Sequence, residues 1–159
     1  ISAIWKGFKE WKAVGKISTL PKMIGVQAAG ANPIVRTFRG QSNSCTVANP
    51  DTVATAIRIG APVNWTKAIA AIRESGGDAV TVTDREILAA QKILAQKEGL
   101  FVEPASAEPV AHLRKTKRRG SVVCVATGHG LKDPEVILRG KPKWVQIKPD
   151  LRSLQRVLR

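Results

Sequence analysis

Cysteine is scarce in this sequence, with Cys45 and Cys124 the two present among 159 residues. They lie far apart and match no C-x-x-C spacing, which argues against a disulfide scaffold or a cysteine metal site and makes a reducing cytoplasm the expected compartment. Long apolar runs are also missing. Charges or glycines break every such stretch within about ten residues, well short of a bilayer span, so a soluble protein with no membrane partner is expected. The sequence opens on Ile1 rather than methionine and shows no basic, apolar and small-residue succession of a signal peptide, so its start is read as cut or processed. Without a secretion signal, the glycosylation pattern Asn64-Trp65-Thr66 is read as accidental. Histidine is rare too: His129 has no second His, Cys or carboxylate at ligand spacing, which argues against a metal, and His112 has the same plain reading. There is no internal repeat.

Acidic residues are few, 12 against 26 Lys and Arg, for a net charge of +14. The imbalance is uneven: +6 over residues 1–80, −2 over 81–110 and +10 over 111–159. A basic surface attracts phosphate-bearing molecules and nucleic acid alike, so charge by itself names no partner. The run Arg114-Lys115-Thr116-Lys117-Arg118-Arg119 can contact phosphates or stand as a solvated face. A hydrophobic fraction of 43% at this length suits one globular domain with a real core.

Ile1, Ile4, Trp5, Phe8 and Trp11 recur at helical spacing and Gly15 is placed to stop the helix; such a stripe is read as core rather than as a base-stacking platform. Met23 to Ala28 is a short strand, and Pro33 and Ile34 open a helix. A polar loop over 40–50 and an ordered segment from Thr52 to Ile59 come next. Asn64 is placed to cap a helix from Trp65 to Ser75, closed by Gly76-Gly77. Ala79 to Thr83 reads as a strand feeding a helix through the T-x-x-E capping box of Thr83 and Glu86, and that helix ends at Gly99. Leu100 to Val102 can be extended and Ala105 to Leu113 helical. Ser121 to Ala126, apolar and β-branched between Gly120 and Gly128, predicts a strand buried on both faces. A strand at Trp144 to Ile147 and a helix at Leu151 to Leu158 complete the reading. Strands and helices in alternation predict an α/β domain around a parallel sheet flanked by helices.

Ligands in open α/β sheets sit at the carboxyl ends of strands, which draws attention to Thr127-Gly128-His129-Gly130-Leu131-Lys132-Asp133-Pro134 directly after the predicted buried strand. The Thr127 hydroxyl can donate or accept one hydrogen bond there, and the glycines beside His129 would let backbone approach a ligand closely. On spacing alone, a tight turn that simply requires glycines is the favoured reading. Glu103, ahead of Pro104, reads as a surface acid or as a buried group whose state its partner would set.

Pro21 to Pro33, Thr52 to Gly60, Glu74-Ser75-Gly76-Gly77, Val82-Thr83-Asp84, Glu98 to Ala107 and Thr127 to Pro134 together resemble the threonine synthase family, in that family's order and approximate spacing. The resemblance runs from Ile1 to about Pro134, and the Thr127 to Asp133 element is the most specific part of it. It implies the large domain of a fold-type II (tryptophan synthase beta-like) pyridoxal-phosphate enzyme, a lyase of threonine biosynthesis that converts O-phosphohomoserine and water to threonine and phosphate. On this basis residues 1–134 are expected to be part of the cofactor-binding domain and 135–159 a basic extension packed on it or trailing from it.

The resemblance further implies that Thr127 hydrogen-bonds the cofactor's pyridine nitrogen, that Thr55, Ala56 and Ile57 line a face of its ring, and that Glu103 lies close to it. A neutral hydroxyl in that role does not hold the nitrogen protonated as a carboxylate would, which moderates the ring as an electron sink. In the family the Schiff-base lysine, the substrate-carboxylate loop and nearly all of the phosphate cradle precede the segment matching Ile1. No lysine of this chain is therefore carried over as the nucleophile, no catalytic residue is assigned, and the chain by itself is expected to be inactive. An N-terminal half and a homodimer are the expected partners. Lys22 departs from the family, which commonly has arginine there, and the tail from Ile137 matches none of the motifs. The alternatives are a sister enzyme of the same fold, such as a threonine or serine dehydratase, and a non-catalytic basic module binding nucleic acid through residues 111–159. The absence of a recognised nucleic-acid motif weighs against the second.

Overall fold

The computed structural model describes residues 1–116, 120–138 and 145–158, the side chains of 137 and 138 excepted. Its described strands, β1 (Ile24–Ala28) and β2 (Asp78–Val82), pair in parallel with Ile24 opposite Asp78 and Ala28 opposite Val82. The Asp78 amide donates to Met23 O and the Ala29 amide to Val82 O, so the backbones of Ala79 and Thr81 point to the outer edge. There Arg39 donates to Ala79 O at 3.1 Å and Lys115 to Thr81 O at 3.3 Å. Long cationic side chains thus occupy the carbonyls of an exposed edge and blunt it against further pairing.

Helices surround this pair: α1 (Ser2–Ala13), α2 (Pro33–Phe38), α3 (Trp65–Glu74), α4 (Asp84–Glu98) and α5 (Pro104–Lys115), followed by the short α6 (Glu135–Leu138) and α7 (Leu151–Val157). The capping box forms as expected: the Thr83 hydroxyl accepts from the Glu86 amide at 3.3 Å, and Glu86 accepts from the Thr83 amide at 2.7 Å. α5 starts at Pro104, where a missing N–H costs nothing. The main core lies where α4 and α5 pack on the sheet through small residues, Ala90 with Ala107 and Ala111, over Ala28, Ala54 and Val82. A second cluster joins Val35 and Ile72 to Ala79. Among the described residues no helix is long and apolar enough to cross a membrane.

Four expectations are corrected. Of the aromatic and aliphatic stripe on α1, Trp5 is fully buried, its indole donating to Glu74 at 2.7 Å, whereas Ile1, Ile4 and Trp11 are exposed. α1 packs on α3 and has no second neighbour among the described residues broad enough to cover the stripe. Asn64 occupies the cap position of α3 but makes no side-chain capping bond among the described residues. Ser121 to Ala126 is neither strand nor buried; Val123 is 87% exposed. A strand buried on both faces needs partners along both edges, and in the described structure these residues pair with neither β1 nor β2. Val145 to Ile147 is irregular and exposed as well, while Trp144 lies outside the described residues.

Between the sheet and α5 a polar network holds the segment that comes after β1. The Asp84 carboxylate accepts from the Thr52 hydroxyl at 2.6 Å and from the Val53 amide at 3.0 Å, and the Arg58 guanidinium donates to Thr52 O at 3.0 and 2.6 Å. Glu108, on α5, faces this network but is not part of it: it is 5% exposed, and its Oε1 has no hydrogen-bond partner among the described residues. Burial, and secondarily the nearby Asp84 charge, push its carboxyl up from the ordinary 4.5 to about 8.

An acid that binds its proton more tightly when folded makes the fold most stable in acid, and that stability is lost as pH rises from about 4.5 towards about 8. Glu108→Gln removes the titration. In urea unfolding of the protein that carries this chain, the variant and parent are expected to agree near pH 4. The variant should then gain by at most about 1.4 kcal/mol per pH unit up to about pH 8 and level off beyond it. A gap that does not change with pH would show that Glu108 is not held neutral.

Candidate functional site

Three pieces of backbone meet at one end of the domain: the 3-10 turn Thr55–Ile57, the first turn of α5, and the segment from Thr127 through the 3-10 turn Gly130–Lys132. α5 packs on the first of these. The third is fastened to α5 by several bonds. Ser106 Oγ, buried, accepts from the Thr127 amide at 3.1 Å and the Gly128 amide at 2.9 Å, and lies 3.3 Å from Thr127 Oγ1. The Glu103 amide donates to Gly128 O at 2.9 Å, the Gly130 amide donates to Phe101 O at 3.0 Å, and Val102 forms an antiparallel bridge with His129. Thr55 completes the ring by donating to the buried Asp133 carboxylate at 2.8 Å.

Within this frame Thr127 is exposed, Ala56 is exposed and Ile57 is half-buried against the core around α4 and α5. Glu103 is the buried alternative of the two readings, 5% exposed, and Lys132 Nζ stands 3.0 Å from its Oε2. The ammonium end is largely in water, so this pair is worth less than a fully enclosed one. The described residues thus bring Thr127, Glu103 and the Ala56–Ile57 turn together through shared partners.

The glycines flanking His129 have a structural reason. A Cβ on Gly128 would fall 1.8 Å from Glu103 Oε1, and one on Gly130 would fall 2.4 Å from the Phe101 ring. Side chains of the domain already fill that space, so a Cβ at either position would need Glu103 or Phe101 to move. His129 is exposed; its Nδ1 accepts from the Leu131 amide at 3.2 Å and its ring meets Phe101 edge-on at 5.5 Å. His112 is buried on α5. Among the described residues no group of three or more His, Cys, Asp or Glu could hold a metal ion. Of the basic run, Lys115 bonds Thr81 O and Glu86, and Lys117, Arg118 and Arg119 lie outside the described residues.

Sequence reasoning overlooked the contacts of Ser106, Lys132 and Asp133. A lone hydroxyl among the small residues of a helix's first turn, as in Pro104-Ala105-Ser106-Ala107, was the available signal for Ser106. The other two needed the tertiary fold, because their partners Glu103 and Thr55 are distant in sequence.

An exposed neutral hydroxyl, set on a glycine turn at the end of an α/β unit and backed by a helix N-terminus, is the kind of place at which α/β domains take ligands. The family model described as pyridoxal-phosphate dependent enzyme matches residues 1–128, and the chain belongs to that family, whose cofactor is pyridoxal phosphate. It is similar to threonine synthase of Methanocaldococcus jannaschii, 52% identical over 166 positions that cover 100% of this chain and 41% of the relative. Threonine synthases of Methanosarcina acetivorans and of Synechocystis sp. are 57% and 48% identical, over 87% and 99% of this chain and 36% and 41% of theirs. The chain thus spans about two fifths of the length of the curated relatives it matches, and the match to the first includes the basic tail.

Two solved structures share the fold at a TM-score of 0.50: a threonine deaminase of T.th., 20% identical over 70% of this chain and 44% of that one, and maize serine racemase, 19% identical over 62% and 30%. The fold is α/β of fold type II, helices around a parallel sheet.

Gly128→Ala forces its methyl group into the Glu103 carboxylate and strains the bonds that fasten the turn to α5. A loss of about 1–3 kcal/mol in stability is expected from such overpacking, read by urea unfolding of the protein that carries this chain. An unchanged midpoint would show that the turn does not lie against Glu103.

Proposed function

We propose that this chain is part of a threonine synthase, which converts O-phosphohomoserine and water to threonine and phosphate, and that residues 1–134 belong to its cofactor-binding domain with 135–159 as a basic extension. The observation that carries this reading is the 48–57% identity to threonine synthases over nearly the whole chain. A homodimer in the cytoplasm, completed by the additional length that the relatives possess, is the assembly that goes with it.

The residues present fit the cofactor's ring. Thr127 offers an exposed neutral hydroxyl, which suits a pyridine nitrogen, and its amide is already fixed to Ser106, so the hydroxyl is held in place without a ligand. The Ala56 and Ile57 turn supplies an apolar surface for one face of the ring, braced by Asp84 on Thr52 and by Asp133 on Thr55. Glu103 packs behind Gly128 with its charge answered by Lys132, which keeps an unbalanced carboxylate away from the ring. Lys132 is thereby committed to charge pairing and is not assigned as a nucleophile. When bound, pyridoxal phosphate supplies an electron sink for negative charge that develops on the substrate. Thr127 then orients the ring through one hydrogen bond, and the Ala56–Ile57 wall excludes water from one side.

The test is a strain that lacks threonine synthase. Given the protein that carries this chain, or the chain joined to the part of the M. jannaschii relative that the match leaves uncovered, it should grow without threonine and release phosphate from O-phosphohomoserine. Thr127→Val, which removes one hydrogen bond, is expected to weaken pyridoxal phosphate binding by about tenfold. Deamination of threonine or serine with no phosphate release would overturn the synthase assignment in favour of a dehydratase.

A further inference from the structure

Thr127 carries one hydroxyl proton, and the direction in which it points decides whether it offers a donor or an acceptor to a ligand. The surrounding bonds fix that direction. A serine oxygen has two acceptor positions and one proton. On Ser106 both acceptor positions are taken by main-chain N–H groups, those of Thr127 at 3.1 Å and Gly128 at 2.9 Å. There remains to Ser106 its own proton, and the hydroxyl oxygen beside it is Thr127 Oγ1 at 3.3 Å. Ser106 is therefore the donor of that pair and Thr127 the acceptor. With its oxygen facing Ser106, Thr127 presents its proton to the open side.

We infer that Ser106 is a positioning residue for the cofactor site: by donating to Thr127 it orders a one-way chain, from the two main-chain amides through Ser106 to Thr127, that makes Thr127 a hydrogen-bond donor to an unprotonated ring nitrogen. The inference rests on the proposed placement of that nitrogen at Thr127. Such a chain also polarises in one direction, each donor strengthening the next. Ser106 sits at the third residue of α5 and is buried, so bulk water does not compete for its proton. A carboxylate in the same place would act in reverse: it can only accept, so Thr127 would turn its proton inward and present oxygen to the ring, which favours a protonated nitrogen.

The isosteric pair Ser106→Asn and Ser106→Asp separates this role from packing, because both side chains impose the same bulk and differ in whether they can donate to Thr127. The protein that carries this chain is loaded with pyridoxal phosphate labelled with nitrogen-15 in its ring, and the nitrogen chemical shift is read by NMR. The parent and Ser106→Asn are expected to give the shift of an unprotonated, hydrogen-bonded nitrogen, and Ser106→Asp to move it towards the protonated position. Should either larger side chain prevent folding or loading, Ser106→Thr is expected to retain the parent's shift and Ser106→Ala to lose it.

Equal shifts for Asn and Asp, or for Thr and Ala, would overturn the relay. So would a protonated nitrogen in the parent. Thr127→Val distinguishes the site from the relay. If it leaves the shift unchanged, Thr127 does not touch the ring and the site reading itself fails. If it moves the shift while the Ser106 pairs do not differ, the site stands and the relay alone is wrong.

Discussion

The site depends on the fastening of the Thr127–Gly130 turn to the first turn of α5. Nothing in the regular secondary structure of the described residues holds that turn: the six residues before it pair with neither strand, and the residues after it form a single 3-10 turn. Its position comes from Ser106 Oγ, the Glu103 amide, the Phe101 carbonyl and the Val102 bridge, all within or directly before the start of α5. α5 in turn is fixed by its alanine-rich seam with α4. Close approach of two helices through Ala90, Ala107 and Ala111 leaves little room for sliding, since interiors packed at this density transmit displacement rather than absorb it. The geometry of an exposed hydroxyl is thus set by methyl groups inside the core.

Glu103, at the N-cap of α5, and Glu108, five positions farther on, show how partnering decides what burial does. Glu103 and Glu108 are equally enclosed. Glu103 has Lys132 at 3.0 Å, its own amide bonded to Gly128 O, and a position at the helix N-terminus where negative charge is favoured. Glu108 lies farther along the helix, and its Oε1 has no hydrogen-bond partner among the described residues; burial, and secondarily the facing Asp84, therefore favour its neutral form. The Asp84 carboxylate, by contrast, is satisfied by two donors, the Thr52 hydroxyl and the Val53 amide. Two ionised acids facing each other in the core would cost more than one acid holding a proton.

Much of this was legible along the chain because it is local. The capping box of Thr83 and Glu86, Pro33 at a helix start, and the β-branched run of β2 each carry their own physical cause within a few residues. The pieces that were misread depend on neighbours. Val122, Val123 and Val125 have the composition of a buried strand, but burial requires something to bury against, and composition cannot supply the partner. The same holds for Ile4 and Trp11 on α1. At the site, Thr127 and Glu103 stand out along the chain and resemblance to a family gives them and the Ala56–Ile57 turn their roles, whereas the contacts of Ser106, Lys132 and Asp133 emerge from distances across the fold.

The glycines of the turn are the case in which function and structure are hardest to separate from sequence. Small residues beside Thr127 suit a ligand that approaches the backbone, and they equally suit a turn pressed against its own domain. The distances decide how much of the requirement is internal. Glu103 occupies the space where a Gly128 side chain would stand, and Phe101 that of Gly130. Those two residues flank Val102, whose bridge to His129 brings the strands of backbone together. Because the space is already filled from the protein side, ligand approach is not needed to explain why either position is glycine. On the proposed reading a ligand on the open side would meet the Thr127 hydroxyl, and the glycines would act on it indirectly, by allowing the turn to come near enough for both amides to reach Ser106.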